Sequence, residues 1–137
     1  MEAGTQKIVR GSGPDVPEDR EAAKERFGEF LLRMDRELPS NVLLALEPTD
    51  RAIGKHFLYG PVAETASLIR KMRAAGLSRL GMLLDMGRVP LMGATLDSAV
   101  AEAGAFGLAF VECGRGFPGK GRDGILRDAA CGRNGCR

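Results

Sequence analysis

The sequence predicts an α/β fold built on a parallel sheet, and three observations carry that prediction. Short apolar runs such as residues 42–46 (VLLAL) and 80–84 (LGMLL) contain no polar interruption, as in strands covered on both faces. Amphipathic helical stretches separate these runs, the order that βαβ units require. Each of the two runs is also followed at once by an acid, Glu47 and Asp85.

Taken in order, residues 7–11 (KIVRG) form a short first strand. Pro14-Asp15-Val16-Pro17 is a turn, and Pro17 suits the opening of a helix because its missing N–H would have no helical partner there. Over residues 18–38, Ala22, Ala23, Phe27, Phe30, Leu31, Met34 and Leu38 recur at helical spacing, and Pro39 ends the helix. The second strand is 42–46. Pro61 opens a second helix with the stripe Val62, Ala66, Ile69 and Met72, closed by Gly76. The third strand, 80–84, ends in Asp85 and is followed by a loop to Gly93. Thr95 caps a third helix whose inner face is expected to be Leu96, Ala99, Val100 and Ala103, with Gly104 at its end. Residues 107–111 (GLAFV) are the last strand. Four strands and three helices make half of a barrel wall; an open doubly wound sheet gives the same pattern, and periodicity does not separate the two.

Composition changes near residue 112. Residues 113–137 hold six Lys or Arg against two Asp and seven of the 19 glycines, a net of +4 within a chain of net +2. They show neither helical nor strand periodicity. The expected organisation is a folded unit over 1–111 and an irregular Gly/Arg/Cys-rich tail over 112–137, for which a shifted reading frame past about residue 110 is one account. The small net charge does not single out a nucleic-acid or membrane partner. No apolar run reaches the ~18 residues of a membrane span, and the first ten residues lack the apolar core of a secretory signal. A cytoplasmic location is therefore expected. Cys113, Cys131 and Cys136 form no CxxC pair and an odd set, which argues against a disulfide framework and a structural zinc. Residues 114–121 (GRGFPGKG) approach a phosphate-binding loop but end in Gly121 where a hydroxyl is needed. The tail has one aromatic, Phe117, so it offers no stacking platform for nucleic acid.

Glu47 and Asp85 are the candidates for chemistry. In parallel α/β folds the C-terminal strand ends form the functional face. On neighbouring strands, ~4.8 Å apart, two carboxylates repel, and a divalent cation such as Mg²⁺ or Mn²⁺ relieves that cost. The plainer reading is that both acids are solvated loop residues.

The surrounding residues carry a resemblance. Residues 46–51 (LEPTDR) with 55–61 (KHFLYGP), and 81–93 (GMLLDMGRVPLMG), resemble the fifth- and sixth-strand segments of xylose-isomerase-like sugar phosphate isomerases/epimerases, and Ser12-Gly13-Pro14-Asp15 fits their loop after strand four. The resemblance covers about residues 7–111. It implies a partial (β/α) TIM barrel, about strands four to seven, acting on a sugar or sugar phosphate. It further implies divalent-metal-dependent aldose–ketose isomerisation or epimerisation through an ene-diolate. Glu47 and Asp85 match the family's first two metal ligands, with Mn²⁺ or Mg²⁺ as cofactor, and Glu47 matches a catalytic acid/base. Lys55, His56 and Arg51 belong to a loop that borders the family's active-site mouth and are expected to touch substrate. The family's His three residues after the Asp is Arg88 here, which can bind hydroxyls or phosphate but does not carry protons near neutral pH. Residues 108–112 lack the family's next His ligand, and its final Glu is missing. The competing expectation is therefore a non-catalytic half-barrel that is inert or forms homodimers through exposed edges.

Overall fold

The computed structural model describes residues 7–104 in full and 109–112 as backbone. Its elements alternate as expected. β1 (Lys7–Arg10), β2 (Leu43–Leu46), β3 (Leu80–Asp85) and β4 (Ala109–Glu112) are joined through α1 (Arg20–Glu37), α2 (Val62–Ala74) and α3 (Leu96–Gly104). The four strands form one parallel sheet in the order β1-β2-β3-β4.

That order and the handedness of crossovers fix where the helices lie. A right-handed βαβ connection repeated without reversal puts every helix on the same side of the sheet. The core agrees. Leu31 of α1, Ala66, Ile69 and Met72 of α2, and Ala99 and Ala103 of α3 share one cluster with Leu44 and Leu46 of β2 and Leu80, Met82 and Leu84 of β3. These strand positions are every second residue, so they line one face. The alternate residues Ala45 and Leu83 are buried too, yet stand outside that cluster. The opposite face therefore carries Val9, Ala45 and Gly81 in one register row, with Glu47 and Asp85 beyond them on their strands.

Local chemistry explains the element ends. Pro17 does open helical structure, first as a 3-10 turn Pro17–Asp19 that runs into α1. Leu38 takes an extended conformation (φ −82°, ψ 142°), as a residue before proline must. α2 closes in a Schellman motif. Gly76 (φ 109°) donates to the Arg73 carbonyl and Leu77 to the Met72 carbonyl, and buried Leu77 packs with Met72 in the core. Thr95 caps α3 by accepting the Ser98 N–H at 3.2 Å. Arg79, just before β3, clamps the other end of the sheet. It donates to the Asp35 carboxylate at 2.7 Å, to the Asp35 carbonyl at 2.8 Å, to Val42 at 3.0 Å and to Pro39. A cation set on carbonyls at a helix C-terminus is favoured by the helix dipole.

Three expectations are corrected. Leu96 and Val100 were expected to face inward, but they are 43% and 49% exposed. α3 docks through Ala99 and Ala103, whose small side chains let it approach closely, and this turns its bulkier residues outward. Ala22 of the α1 stripe is exposed as well, whereas Leu31 is in the core and Phe27 packs against it. The stretch expected to be plain loop up to Gly93 contains a 3-10 turn, Val89–Met92, and Gly93 ends it with φ 71°. The last strand, expected over 107–111, is seen at Ala109–Glu112, and residues 107 and 108 lie outside the described residues. The three cysteines, the Gly-rich 114–121 segment and the tail beyond 112 lie outside the described residues.

Candidate functional site at the C-terminal strand rim

β2 and β3 are neighbours, registered Leu44↔Leu80, Ala45↔Gly81 and Leu46↔Met82. Glu47, one residue past β2, is therefore level with Leu83, and Asp85 stands two residues farther along the same rim. The Glu47 N–H donates to the Arg10 carbonyl at 3.0 Å, which extends the β1–β2 pairing to the site. On the other side, Asp85 is opposite Glu112 in backbone register.

A turn headed by Asp85 brings in the third member. Its carbonyl accepts the Arg88 N–H at 2.9 Å, and its Oδ1 accepts the Gly87 N–H at 2.9 Å. Asp favours the first position of such turns because its side chain can take a free backbone N–H. The turn folds Arg88 back over the rim. Its Nε lies 3.5 Å from Asp85 Oδ2 and 3.8 Å from Glu47 Oε1. One guanidinium thus stands against both carboxylates. The side chains of Glu47 and Arg88 are each 26% exposed and that of Asp85 is 12% exposed, so the trio is half-sheltered yet open to solvent.

The loop between β2 and α2 is scaffolded from within. Asp50 is buried, and its Oδ2 accepts the N–H groups of Ile53 (3.2 Å), Lys55 (2.9 Å) and Gly54. Burial pushes the Asp50 carboxyl up, but the three N–H donors outweigh it and hold it below the usual range. Arg51 makes a two-pronged ion pair with Glu64 (2.8 and 2.7 Å), donates to the Leu58 carbonyl and lies 3.8 Å from Asp15. This pairing, with Arg20 bound to Asp15 at 2.8 and 2.7 Å, ties the loop to α2 and to the segment before α1. The Arg51 hydrogen bond holds Glu64 below its ordinary pKa, and the Arg20 hydrogen bond does the same for Asp15. Ser12 to Asp15 dock on the same loop. Ser12 Oγ accepts the Tyr59 N–H at 2.8 Å, the Gly13 carbonyl accepts Leu58 N–H at 2.9 Å, and Asp15 N–H donates to His56 at 2.6 Å. Gly60 completes the fold-back. A Cβ there would lie 2.7 Å from the Arg51 nitrogen and 2.8 Å from the Thr49 carbonyl oxygen, so only glycine fits.

The sequence-derived site thus divides. Glu47, Asp85 and Arg88 are brought together. Lys55 and His56 are exposed on the loop, where the Lys55 N–H serves Asp50 and the His56 ring nitrogen Nδ1 is 2.8 Å from the Arg51 carbonyl. His56 is held at φ 50°. Arg51 is engaged in the ion pairs that hold the loop. Sequence reasoning missed the Asp50 N–H nest and the need for Gly60, although the TDR-x-x-GK spacing contains the Asx-turn signal of an Asp a few residues before a glycine.

A divalent ion fits this arrangement poorly. Mg²⁺ and Mn²⁺ ask for oxygens at about 2.0–2.2 Å, and here a guanidinium contacts both carboxylates. Among the described residues no three His, Cys, Asp or Glu side chains gather as a ligand set. No helix of the described residues is long and apolar enough to cross a membrane. The chain matches no protein-family model, no curated protein and no solved structure.

Proposed function

We propose that the described strands are a stretch of (β/α) barrel wall of the sugar phosphate isomerase/epimerase type, and that its rim binds a sugar or sugar phosphate through Arg88, Glu47 and Asp85. One observation supports the reading above the others: a single guanidinium lies against two acids that end adjacent parallel strands. Such a rim offers donors and acceptors side by side, the pattern that a polyhydroxylated ligand needs. A guanidinium also matches phosphate geometry through paired N–H groups. Glu47 has the position of an acid/base, but in this arrangement its charge is countered by Arg88. The rim is therefore read as a binding site that need not turn its ligand over. The unreversed strand order and the shared helix face favour a barrel wall over a doubly wound sheet, in which helices cover both faces.

The test is calorimetric titration of the full chain with pentose and hexose phosphates and their unphosphorylated sugars. Saturable binding that weakens at least about tenfold in Arg88→Met is expected. A wild-type chain that binds none of the panel removes the reading. Exchange of the sugar C2 proton with deuterated water, measured in the same samples, separates turnover from binding.

A second reading, self-association, has its own observation. β1 is an outer strand of the sheet with Val9 41% exposed, and α3 presents Leu96 and Val100 to solvent. Lys7 and Arg10 at that outer strand are charges of the kind that discourage pairing. A concentration-independent monomer in size-exclusion chromatography would remove this second reading.

A further inference from the structure

We propose that the groove between α1 and α2 is a site for a phosphoryl group, held by Lys24, Lys71, Ser67 and the Tyr59 hydroxyl. The groove belongs to the helix layer, apart from the Glu47–Asp85–Arg88 rim, and the inference does not rest on the sugar reading.

Three observations support it. The first is a cavity. Lys24, Tyr59, Glu64, Ser67, Leu68 and Lys71 line a groove of about 170 Å³. Pockets that enclose a whole drug-sized ligand run to about 300–1,000 Å³, so this one suits a single phosphoryl group whose carrier stays in solvent. Helical spacing builds one wall. Glu64, Ser67, Leu68 and Lys71 stand at i, i+3, i+4 and i+7 of α2 and so share one face of that helix. α1 contributes Lys24, and Leu68 and Tyr59 are the buried members. The second observation is an unpartnered polar group. Tyr59 is 8% exposed, and its backbone is committed, the N–H to Ser12 Oγ at 2.8 Å and the carbonyl to the Thr65 hydroxyl at 3.4 Å. Its own hydroxyl makes no hydrogen bond with the described residues and is not sealed from solvent. A buried phenol normally finds a partner, and the groove is where one would come from. The third is charge. Lys71 is exposed and has no carboxylate partner among the described residues. The carboxylates nearest Lys24 are Glu21 at 3.2 Å, on a side chain 84% exposed, and Glu64 at 3.6 Å. Exposed pairs of this kind are weak, so Lys24 can turn to an incoming anion. The acid of the groove is already matched, since both Glu64 oxygens accept from Arg51, at 2.8 and 2.7 Å. The groove thus offers two ammonium groups and two hydroxyls against one neutralised carboxylate. A phosphoryl group, with its double charge and several acceptor oxygens, uses that set, whereas a cation would meet two charges of its own sign.

The experiment titrates the full chain with inorganic phosphate at constant ionic strength and about pH 8, where a phosphoryl group carries close to two charges. Tyr59 is the only tyrosine and the chain has no tryptophan, so tyrosine fluorescence reports on the groove, with calorimetry in parallel. Expected is a saturable change with a dissociation constant on the order of 1 mM, weakened at least about fivefold in Lys71→Met and, by calorimetry, in Tyr59→Phe. A pentose phosphate should change the tyrosine signal with about the same affinity, because its sugar stays outside the groove, and acetate should give no saturable change. Arg88→Met should leave the tyrosine response as it is. A wild-type chain without a saturable response up to about 50 mM phosphate would overturn the site. A response that acetate reproduces, or that Lys71→Met with native circular dichroism leaves unchanged, would overturn it as well. Binding lost in Arg88→Met but kept in Lys71→Met would put the phosphate at the rim and end the groove proposal, while a tyrosine response without sugar binding keeps the groove and loses the sugar reading.

Discussion

Tyr59 is the only tyrosine in a chain without tryptophan, so the ionisation of one buried phenol can be followed directly by near-ultraviolet absorbance. The residue is 8% exposed, with its ring centroid 5.8 Å from that of Phe27 and the Lys24 ammonium 5.9 Å from its own centroid. Burial raises its pKa most, the carboxylates of Glu64 and Glu21 add to the rise, and Arg51 opposes it. The net effect pushes the phenol from 10.0 up to about 12. A group whose folded pKa exceeds its unfolded value favours the folded state fully below the unfolded pKa. Here that contribution is present below pH 10 and fades as pH rises toward about 12. The expected result is a tyrosinate midpoint about two pH units above that of the same chain in denaturant, at pH values where circular dichroism is still native. Glu64→Gln should lower the midpoint, because it removes a carboxylate and releases Arg51 to act on the phenol. Tyr59→Phe should flatten the alkaline fall in stability. A midpoint near 10 in a folded chain would refute the packing of this loop against α1 and α2.

Two further perturbations probe the same scaffold. Gly60→Ala should cost about 1–3 kcal/mol, since its Cβ meets two backbone atoms that cannot move independently. Gly28→Ala should instead stabilise α1 by about 0.5–1 kcal/mol, because its Cβ makes only an ordinary 3.5 Å contact with Met72. Thermal unfolding of the pair should shift in opposite directions, and equal shifts would contradict the close approach at Gly60. In acid, the lowered carboxyls of Asp15, Asp50 and Glu64 stabilise the fold above the unfolded carboxylate range near ~4, and this contribution is lost as pH falls through their folded values. Unfolding temperature should therefore drop below about pH 4, with a shallower drop in Asp50→Asn and Glu64→Gln; unchanged slopes in both variants would count against these partners.

The elements were legible in the sequence wherever one face alone decides the structure. The runs around Leu44 and Leu83, the stripe with Phe27 and Leu31 and the separate stripe with Ile69 needed no knowledge of neighbours, because burial on a fixed period selects strand or helix. Glu47 and Asp85 were legible as a rim pair for the same reason, each being the first acid past such a run. Arg88 was only half legible. Three residues from Asp85, a turn was enough to bring it near that acid, but its reach to Glu47 depends on the β2–β3 register, which no local pattern reports. The loop from Pro48 to Gly60 was the least legible part. Its shape comes from partners remote in sequence, Arg51 with Asp15, Tyr59 with Ser12 and Gly60 with Thr49, and from a buried Asp50 whose donors are backbone groups. Leu96 and Val100 were misjudged because apolar character marks what can be buried, whereas Ala99 and Ala103 show what did dock.

These points bear on why the rim, and not the loop, is the place to look for function. The ion pairs that hold the loop are internal, with Arg51 matched to Glu64 and Asp15, and Arg20 matched to Asp15. Removing any of them unmakes structure before it alters binding. At the rim the contacts differ. Arg88 lies against Glu47 and Asp85 at separations longer than hydrogen bonds, and all three side chains keep a route to solvent. Long contacts open to water can exchange an internal partner for an external one at lower cost than short buried ones. A ligand with both acceptors for the guanidinium and donors for the carboxylates would engage all three side chains, whereas a bare anion would meet two carboxylates of its own sign. Phosphate alone should therefore bind more weakly than a sugar phosphate. If inorganic phosphate competes as well as the sugar phosphates do, the acids contribute nothing to recognition and the rim is an arginine site only.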